Sequence, residues 1–195
     1  MLKQIFIVGW GGSGTRVVSH ILKEVGYNIG KDLNIANDYM PILNNKYDPT
    51  SINEKEPWAI KHGQIMCMIP EFRKVWPKAK FILVRRNPID NILNLFDWEK
   101  TFGKQYVKSK DKLTARAEAY KGVHEKAYKD GIDYTVTLEG LVDNMWHEVK
   151  GLLDFVEVDD NPNRFDCYIK RPKTIGRRFE ELEEEDINRL ENICK

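Results

Sequence analysis

Two stretches carry residues whose types and spacing could do chemistry on an anion. Gly9-Trp10-Gly11-Gly12-Ser13-Gly14-Thr15-Arg16 packs four glycines into eight residues and ends in two hydroxyls and a guanidinium. Glycines let backbone N–H groups curl around an anion, and Ser13 and Thr15 add donors at the same place. Further along, Arg85-Arg86-Asn87-Pro88-Ile89-Asp90 sets two guanidinium groups beside a proline. An arginine there can hold a second anion through two parallel hydrogen bonds. Lys61-His62 offers a third polar pair, and Arg171-Pro172-Lys173-Thr174-Ile175-Gly176-Arg177-Arg178 a late basic cluster. Proline, threonine and glycine interrupt that cluster, which suits a loop folding back over an anion.

The surrounding pattern places these residues. Ile5–Val8 is an apolar run fit for a buried strand, and Val17, Val18, Ile21 and Leu22 recur at helical spacing after the glycines. Strand, glycine loop and helix form a phosphate cradle, because the helix N-terminus adds a positive dipole end. The spacing from Gly9 to Gly14 is that of a P-loop, but Thr15-Arg16 stands where Lys-Ser/Thr would hold phosphates and magnesium. A tight turn with no ligand is the plain alternative. Phe81–Val84 is a second buried strand ending at Arg85-Arg86, and Pro88 opens the following helix, predicted to run to about Trp98. Asn94 lies two turns into that helix and within reach of an anion held by Arg86. The plain alternative for Arg86 is an ion pair with Asp90.

Trp58–Lys61 predicts a short strand; Lys61 and His62 then share a pocket only if the strand has ended. Gln64–Trp76 predicts a helix interrupted at Pro70. Thr114–Lys129 predicts a helix capped by Thr114, Asp133–Thr137 a strand, Leu141–Phe155 and Glu183–Cys194 two more helices, and Asn161–Gly176 a loop. Residues 27–57 read as loops with one short helix around Asp38–Asn44, either a functional lid or a surface insertion, and Lys100–Lys112 as a polar, mobile stretch. His20, His124 and His147 fall inside helices and read as structural. Strands alternating with helices predict a three-layer αβα fold with a mainly parallel sheet, one domain over residues 1–195.

Composition narrows the class. With 42% hydrophobic and 31% charged residues, the chain reads as an ordinary soluble protein, and its net charge of +1 argues against a general nucleic-acid binder. Three cysteines without metal-ligand spacing suggest free thiols in a reducing compartment. The first strand follows Met1 almost at once, and no apolar run approaches the ~20 residues of a membrane span, so cytoplasmic location is expected.

These residues resemble a sulfotransferase that uses 3′-phosphoadenosine 5′-phosphosulfate (PAPS), of the soluble bacterial type with a P-loop-like fold. Gly11-Gly12-Ser13-Gly14-Thr15-Arg16 resembles that family's 5′-phosphosulfate loop, and Phe81–Asp90 its 3′-phosphate motif, a strand running into Arg-Asn-Pro-x-Asp. Trp58-Ala59-Ile60-Lys61, Thr137–Leu141 and Thr174-Ile175-Gly176-Arg177 resemble further blocks of it. The resemblance implies PAPS as donor, held by Gly11, Gly12, Ser13, Gly14, Thr15, Arg16, Arg86, Asn94, Gly176 and Arg177, with no metal. It implies sulfuryl transfer to a hydroxyl or amine of a small molecule, glycan or peptide. Two departures stand out: Gly12 occupies the place of a loop Lys or Arg, and Asn94 that of a serine. Arg16 or Lys61 would then steady the leaving phosphate, and His62, or after it Asp38, would take the acceptor's proton. A P-loop nucleotide or nucleoside kinase and a non-catalytic nucleotide-binding member of the fold are the alternatives.

Overall fold

A computed structural model describes residues 1–34, 37–101 and 110–195, with the backbone alone for 96–101. Four strands, β1 (Gln4–Val8), β2 (Trp58–Lys61), β3 (Lys80–Arg85) and β4 (Tyr134–Thr137), form one sheet in the order β2-β1-β3-β4. Every pairing is parallel: Ile7 lies beside Lys61, Val8 beside Leu83, and Arg85 beside Thr137. The carboxyl ends therefore gather along one rim.

Alternate residues of the strands face opposite layers, as the two-residue period of a strand requires. Ile5, Ile7, Ile82, Val84 and Val136 pack against α1 (Thr15–Glu24), α6 (Leu138–Asp143) and α7 (Met145–Phe155). Phe6, Val8, Phe81 and Leu83 face α2 (Met40–Asn44), α3 (Ile69–Val75) and α5 (Lys110–Asp130). Phe6 anchors this second face, with the rings of Trp58, Phe72 and Phe81 all about 5 Å away. A third apolar cluster joins α4 (Pro88–Thr101) and α5 to α9 (Glu184–Cys194), through Ile89, Ile92, Leu93, Leu113, Tyr120 and Leu190. A short α8 (Arg178–Glu181) precedes α9. This is the αβα architecture predicted. No helix among the described residues is long and apolar enough to cross a membrane.

Several boundaries differ from the sequence reading. The helix predicted over 64–76 is a 3-10 helix, Gly63–Cys67, followed by α3, with Met68 between them at φ −131° and Pro70 in the first turn of α3. The helix predicted over 141–155 is two helices, divided at Asn144 (φ −142°, ψ 53°). Thr114 is no cap: α5 begins at Lys110, and the Thr114 hydroxyl donates back to the Lys110 carbonyl inside the helix. The loop predicted over 161–176 contains a 3-10 helix, Pro162–Tyr168. Of the stretch read as polar and mobile, residues 102–109 lie outside the described residues; α4 reaches Thr101 and α5 starts at Lys110.

Candidate functional site

The strand order reverses at β1 and β3, whose carboxyl ends open the crevice where doubly wound sheets bind ligands. The glycine loop leaves β1 there, and Arg86 leaves β3. The loop is closed by the Ser13 amide donating to the Trp10 carbonyl at 3.0 Å, and Gly12 and Gly14 both take positive φ, 81° and 96°. A side chain at Gly9 would collide with the Ser13 hydroxyl and the Val84 carbonyl, each 2.6 Å from where its Cβ would lie. Glycine thus lets the loop pass close over β3. The Gly14, Thr15 and Arg16 amides open α1, where a helix has no acceptor of its own. Ser13 is fully buried and its Oγ has no hydrogen-bond partner. Gly11, Gly12 and Arg16 are exposed, and Thr15 is half-buried.

Arg86 is buried against this loop. Its Nη1 lies 3.4 Å from the Gly12 carbonyl, Nη2 donates to the Thr174 carbonyl, and Nε is buried with no partner. Burial pulls its guanidinium below the ordinary value, and Asp90 and Glu139 oppose that. The Tyr120 hydroxyl donates to the Arg86 carbonyl at 3.0 Å and so fixes the backbone. Asn87 caps α4, accepting from the Ile89 and Asp90 amides at 3.0 and 3.2 Å, while its own amide donates to Glu139 at 3.0 Å.

Asp90 does not pair with Arg86. Its fully buried carboxylate accepts from the Gly176 amide (2.7 Å), the Arg178 amide (2.9 Å) and Arg178 Nη1 (2.8 Å). The late basic loop is thereby folded back over the crevice. Gly176 lies within it at φ 80°, and Arg177 is close enough to Arg86 to depress its pKa, while also pairing with Glu181. Asn94 stands over Gly12: a Cβ on that glycine would fall inside contact distance of Asn94 Nδ2. Arg85 turns away, 3.4 Å from the Tyr128 hydroxyl and stacked over its ring.

β2 delivers the remaining pair. The strand ends at Lys61, and the His62 amide still donates to the Ile7 carbonyl at 3.1 Å. Both side chains are buried. Lys61 Nζ is 2.5 Å from Asp38 Oδ1; burial lowers its pKa, Asp38 opposes this, and Arg16 adds to the lowering. His62 packs edge-on against Tyr47, its Nδ1 is unpartnered, and burial lowers its pKa, leaving a neutral imidazole near pH 7. Residues 27–57 thus bring Asp38 and Tyr47 to Lys61 and His62.

The structure gathers Ser13, Gly12, Arg86, Asn94, Gly176 and Arg177 at the crevice, and Arg16, Lys61, His62 and Asp38 at its β2 side. Sequence reasoning missed the grip of Asp90 on residues 176–178 and the support from Tyr120. It also missed Asn91, fully buried with both carboxamide atoms unpartnered. The spacing of Asn87, Asn91 and Asn94 was the available signal for a polar face on α4.

A search of curated protein sequences finds no match. Among solved structures, a mouse sulfotransferase, SULT7A1, complexed with PAP aligns at TM-score 0.69 and 13% identity, covering 97% of this chain and 81% of that one. Sulfotransferase STF9 from Mycobacterium avium aligns at TM-score 0.56 and 9% identity, covering 97% and 74%. A retinol dehydratase in complex with androsterone and the inactive cofactor PAP aligns at TM-score 0.57 and 11% identity, covering 97% and 79%. At these identities the likeness is one of fold. The family itself is given by sequence: residues 33–162, about two-thirds of the chain, match the profile described as "Sulfotransferase family", so the chain belongs to the sulfotransferase family.

Proposed function

We propose that this chain transfers a sulfuryl group from PAPS to a hydroxyl, or an amine, of a small molecule, glycan or peptide. The observation that carries this reading is the pairing of two anion-seeking groups across one crevice: the glycine loop with its helix N-terminus, and the buried Arg86. The residues fit a nucleotide carrying phosphate at both ends. Ser13 Oγ and Arg86 Nε are buried polar atoms without partners, and such atoms point to a ligand or a bound water.

When bound, PAPS supplies the activated sulfuryl group and a phosphate leaving group. Loop amides and Ser13 would bind its 5′ end, and Arg86, Arg177 and Asn94 its 3′-phosphate. Lys61, with its pKa lowered and Asp38 beside it, would place positive charge near the leaving oxygen; Arg16 would add to it. His62, neutral near pH 7, would accept the acceptor's proton at Nδ1, its unpartnered nitrogen. The burial of Lys61 and His62 keeps both dry, which strengthens their charge interactions. A cytoplasmic setting agrees with the free thiols of Cys67, Cys167 and Cys194.

The test is ligand stabilisation followed by two substitutions. Adenosine 3′,5′-bisphosphate raises the melting temperature of the wild type by mass action. Arg86→Ala weakens the bisphosphate by roughly ten- to a hundredfold and leaves adenosine 5′-phosphosulfate, which lacks the 3′-phosphate, far less affected. Ser13→Ala weakens both, by a smaller factor. Stabilisation by magnesium-ATP with none by the bisphosphate would overturn the reading in favour of a kinase. Tight bisphosphate binding without turnover on any acceptor would favour a non-catalytic member of the fold.

A further inference from the structure

Helix α4 turns a polar face to the glycine loop. Asn87, Asn91 and Asn94 follow at spacings of four and three residues, which places them on one side of the helix. In its first two turns Ile89, Ile92 and Leu93 are core, and Asp90 holds the late loop. Asn87 is used as the cap, and Asn94 Nδ2 stands over Gly12. Asn91 has no such employment. It is fully buried, its Oδ1 lies 3.7 Å from where a Cβ on Gly12 would be, and neither Oδ1 nor Nδ2 has a hydrogen-bond partner. A buried carboxamide unpaired at both ends is among the more unfavourable groups a fold can hold, and an apolar residue of equal size would be the stable choice. Asparagine here is not explained by packing.

Helical side chains lean toward the helix N-terminus, so the Asn91 carboxamide, beside Gly12, is tilted toward the end of α4 that Arg86 precedes. Arg86 Nη1 is 3.4 Å from the Gly12 carbonyl, and its Nε, like Ser13 Oγ, is a buried donor without a partner. We propose that Asn91 reads the 3′-phosphate of the bound nucleotide together with Arg86, Nδ2 donating to a phosphate oxygen and Oδ1 accepting a loop amide from Gly11 or Gly12. The proposal rests on the donor assignment above. Neither Asn91 atom reaches solvent as the loop stands, so the contact forms with a shift of the Gly11–Gly12 segment, which carries no side chain to obstruct it. The site then reads its 3′-phosphate with two guanidinium groups, Arg86 and Arg177, and a pair of neutral amides, Asn91 and Asn94.

The experiment compares wild type and Asn91→Leu by calorimetric titration with adenosine 3′,5′-bisphosphate and with adenosine 5′-monophosphate. Asn91→Leu is expected to keep or raise the melting temperature of the ligand-free protein and to weaken the bisphosphate about tenfold or more. Binding of the 5′-monophosphate should change by less than about twofold, since hydrogen bonds to an absent phosphate cannot be lost. Equal bisphosphate affinity in the two proteins, or equal loss for both ligands, would overturn the role of Asn91. Failure of the wild type itself to bind the bisphosphate would overturn the donor assignment, a separate result. Should Asn91→Leu not fold, the side-chain amide resonances of Asn91 in the wild type decide the matter. They should shift and gain exchange protection with the bisphosphate and not with the 5′-monophosphate; unmoved resonances on saturation would refute the proposal.

Discussion

Restoring a basic side chain to the glycine loop at Gly12 is the obvious engineering step, and the structure predicts that it fails alone. Consider first the smallest change, Gly12→Ala. The backbone there has φ 81°, and an alanine in the left-handed region costs about 1–2 kcal/mol. The new Cβ would also fall inside contact distance of Asn94 Nδ2, with Asn94 Cγ at 3.3 Å. The amide end of Asn94 is free to swing aside, so this second part costs roughly 1 kcal/mol more. The sum, about 2–3 kcal/mol, lowers the melting temperature by about 4–12 °C for a chain of this size. Asn94→Ala removes the collision and leaves the backbone strain. A double-mutant cycle by urea denaturation should therefore show a coupling of about 1 kcal/mol, with Gly12→Ala less harmful in the Asn94→Ala background. Gly12→Lys meets the same two obstacles and needs Asn94→Ser beside it before any gain in turnover. A neutral Gly12→Ala, or strict additivity with Asn94→Ala, would refute this account of the loop.

Asp90→Asn leaves the Arg178 guanidinium without its carboxylate and loosens the strap over the crevice. We expect a loss of about 2–4 kcal/mol in unfolding free energy, together with weaker bisphosphate binding, measurable by urea titration with and without ligand. His124 is buried, and its pKa falls from 6.5 to about 4, chiefly through desolvation. The unfolded chain therefore binds a proton that the folded chain refuses between about pH 4 and 6.5, and stability drops as pH falls through that window. Between pH 6.5 and 5 the wild type should lose on the order of 1–2 kcal/mol more than His124→Gln, and parallel pH profiles of the two would refute this.

The strands and the helix after the glycine loop were legible because an unbroken apolar run between turn residues has few other ways to be buried. Ile5–Val8 and Phe81–Val84 are such runs, and both lie in the middle of the sheet. Arg86 was legible from its place between a strand and Asn-Pro. The helix break at Asn144 was not, because Leu141, Met145, Val149 and Leu152 keep helical spacing across it and no proline or glycine marks it. The start of α5 was misread because Thr114 looks like a cap; local residues cannot show that its hydroxyl bonds backward within the turn. The partners of Asp90 lie 86 and 88 residues away, so its nearest cation, Arg86, was the natural reading and not the actual one. For Lys61 and His62, sequence posed a choice between faces. β2 ends at Lys61 as read, but His62 stays extended and keeps the ladder bond to Ile7. The two side chains therefore alternate, Lys61 meeting Asp38 and His62 packing on Tyr47.

The grip of Asp90 on the late loop has a consequence for how that loop can vary. Two of its three hydrogen bonds end on main-chain amides, those of Gly176 and Arg178, which every residue but proline possesses. The hold on Arg86 from the other side is likewise a main-chain group, the Thr174 carbonyl. Side chains at 174, 175 and 177 can therefore drift through many substitutions without releasing the strap, provided position 176 keeps a residue at ease with φ 80°. The side chains that the crevice roof presents are thus uncoupled from its attachment, which survives their replacement as long as Asp90 stays where it is.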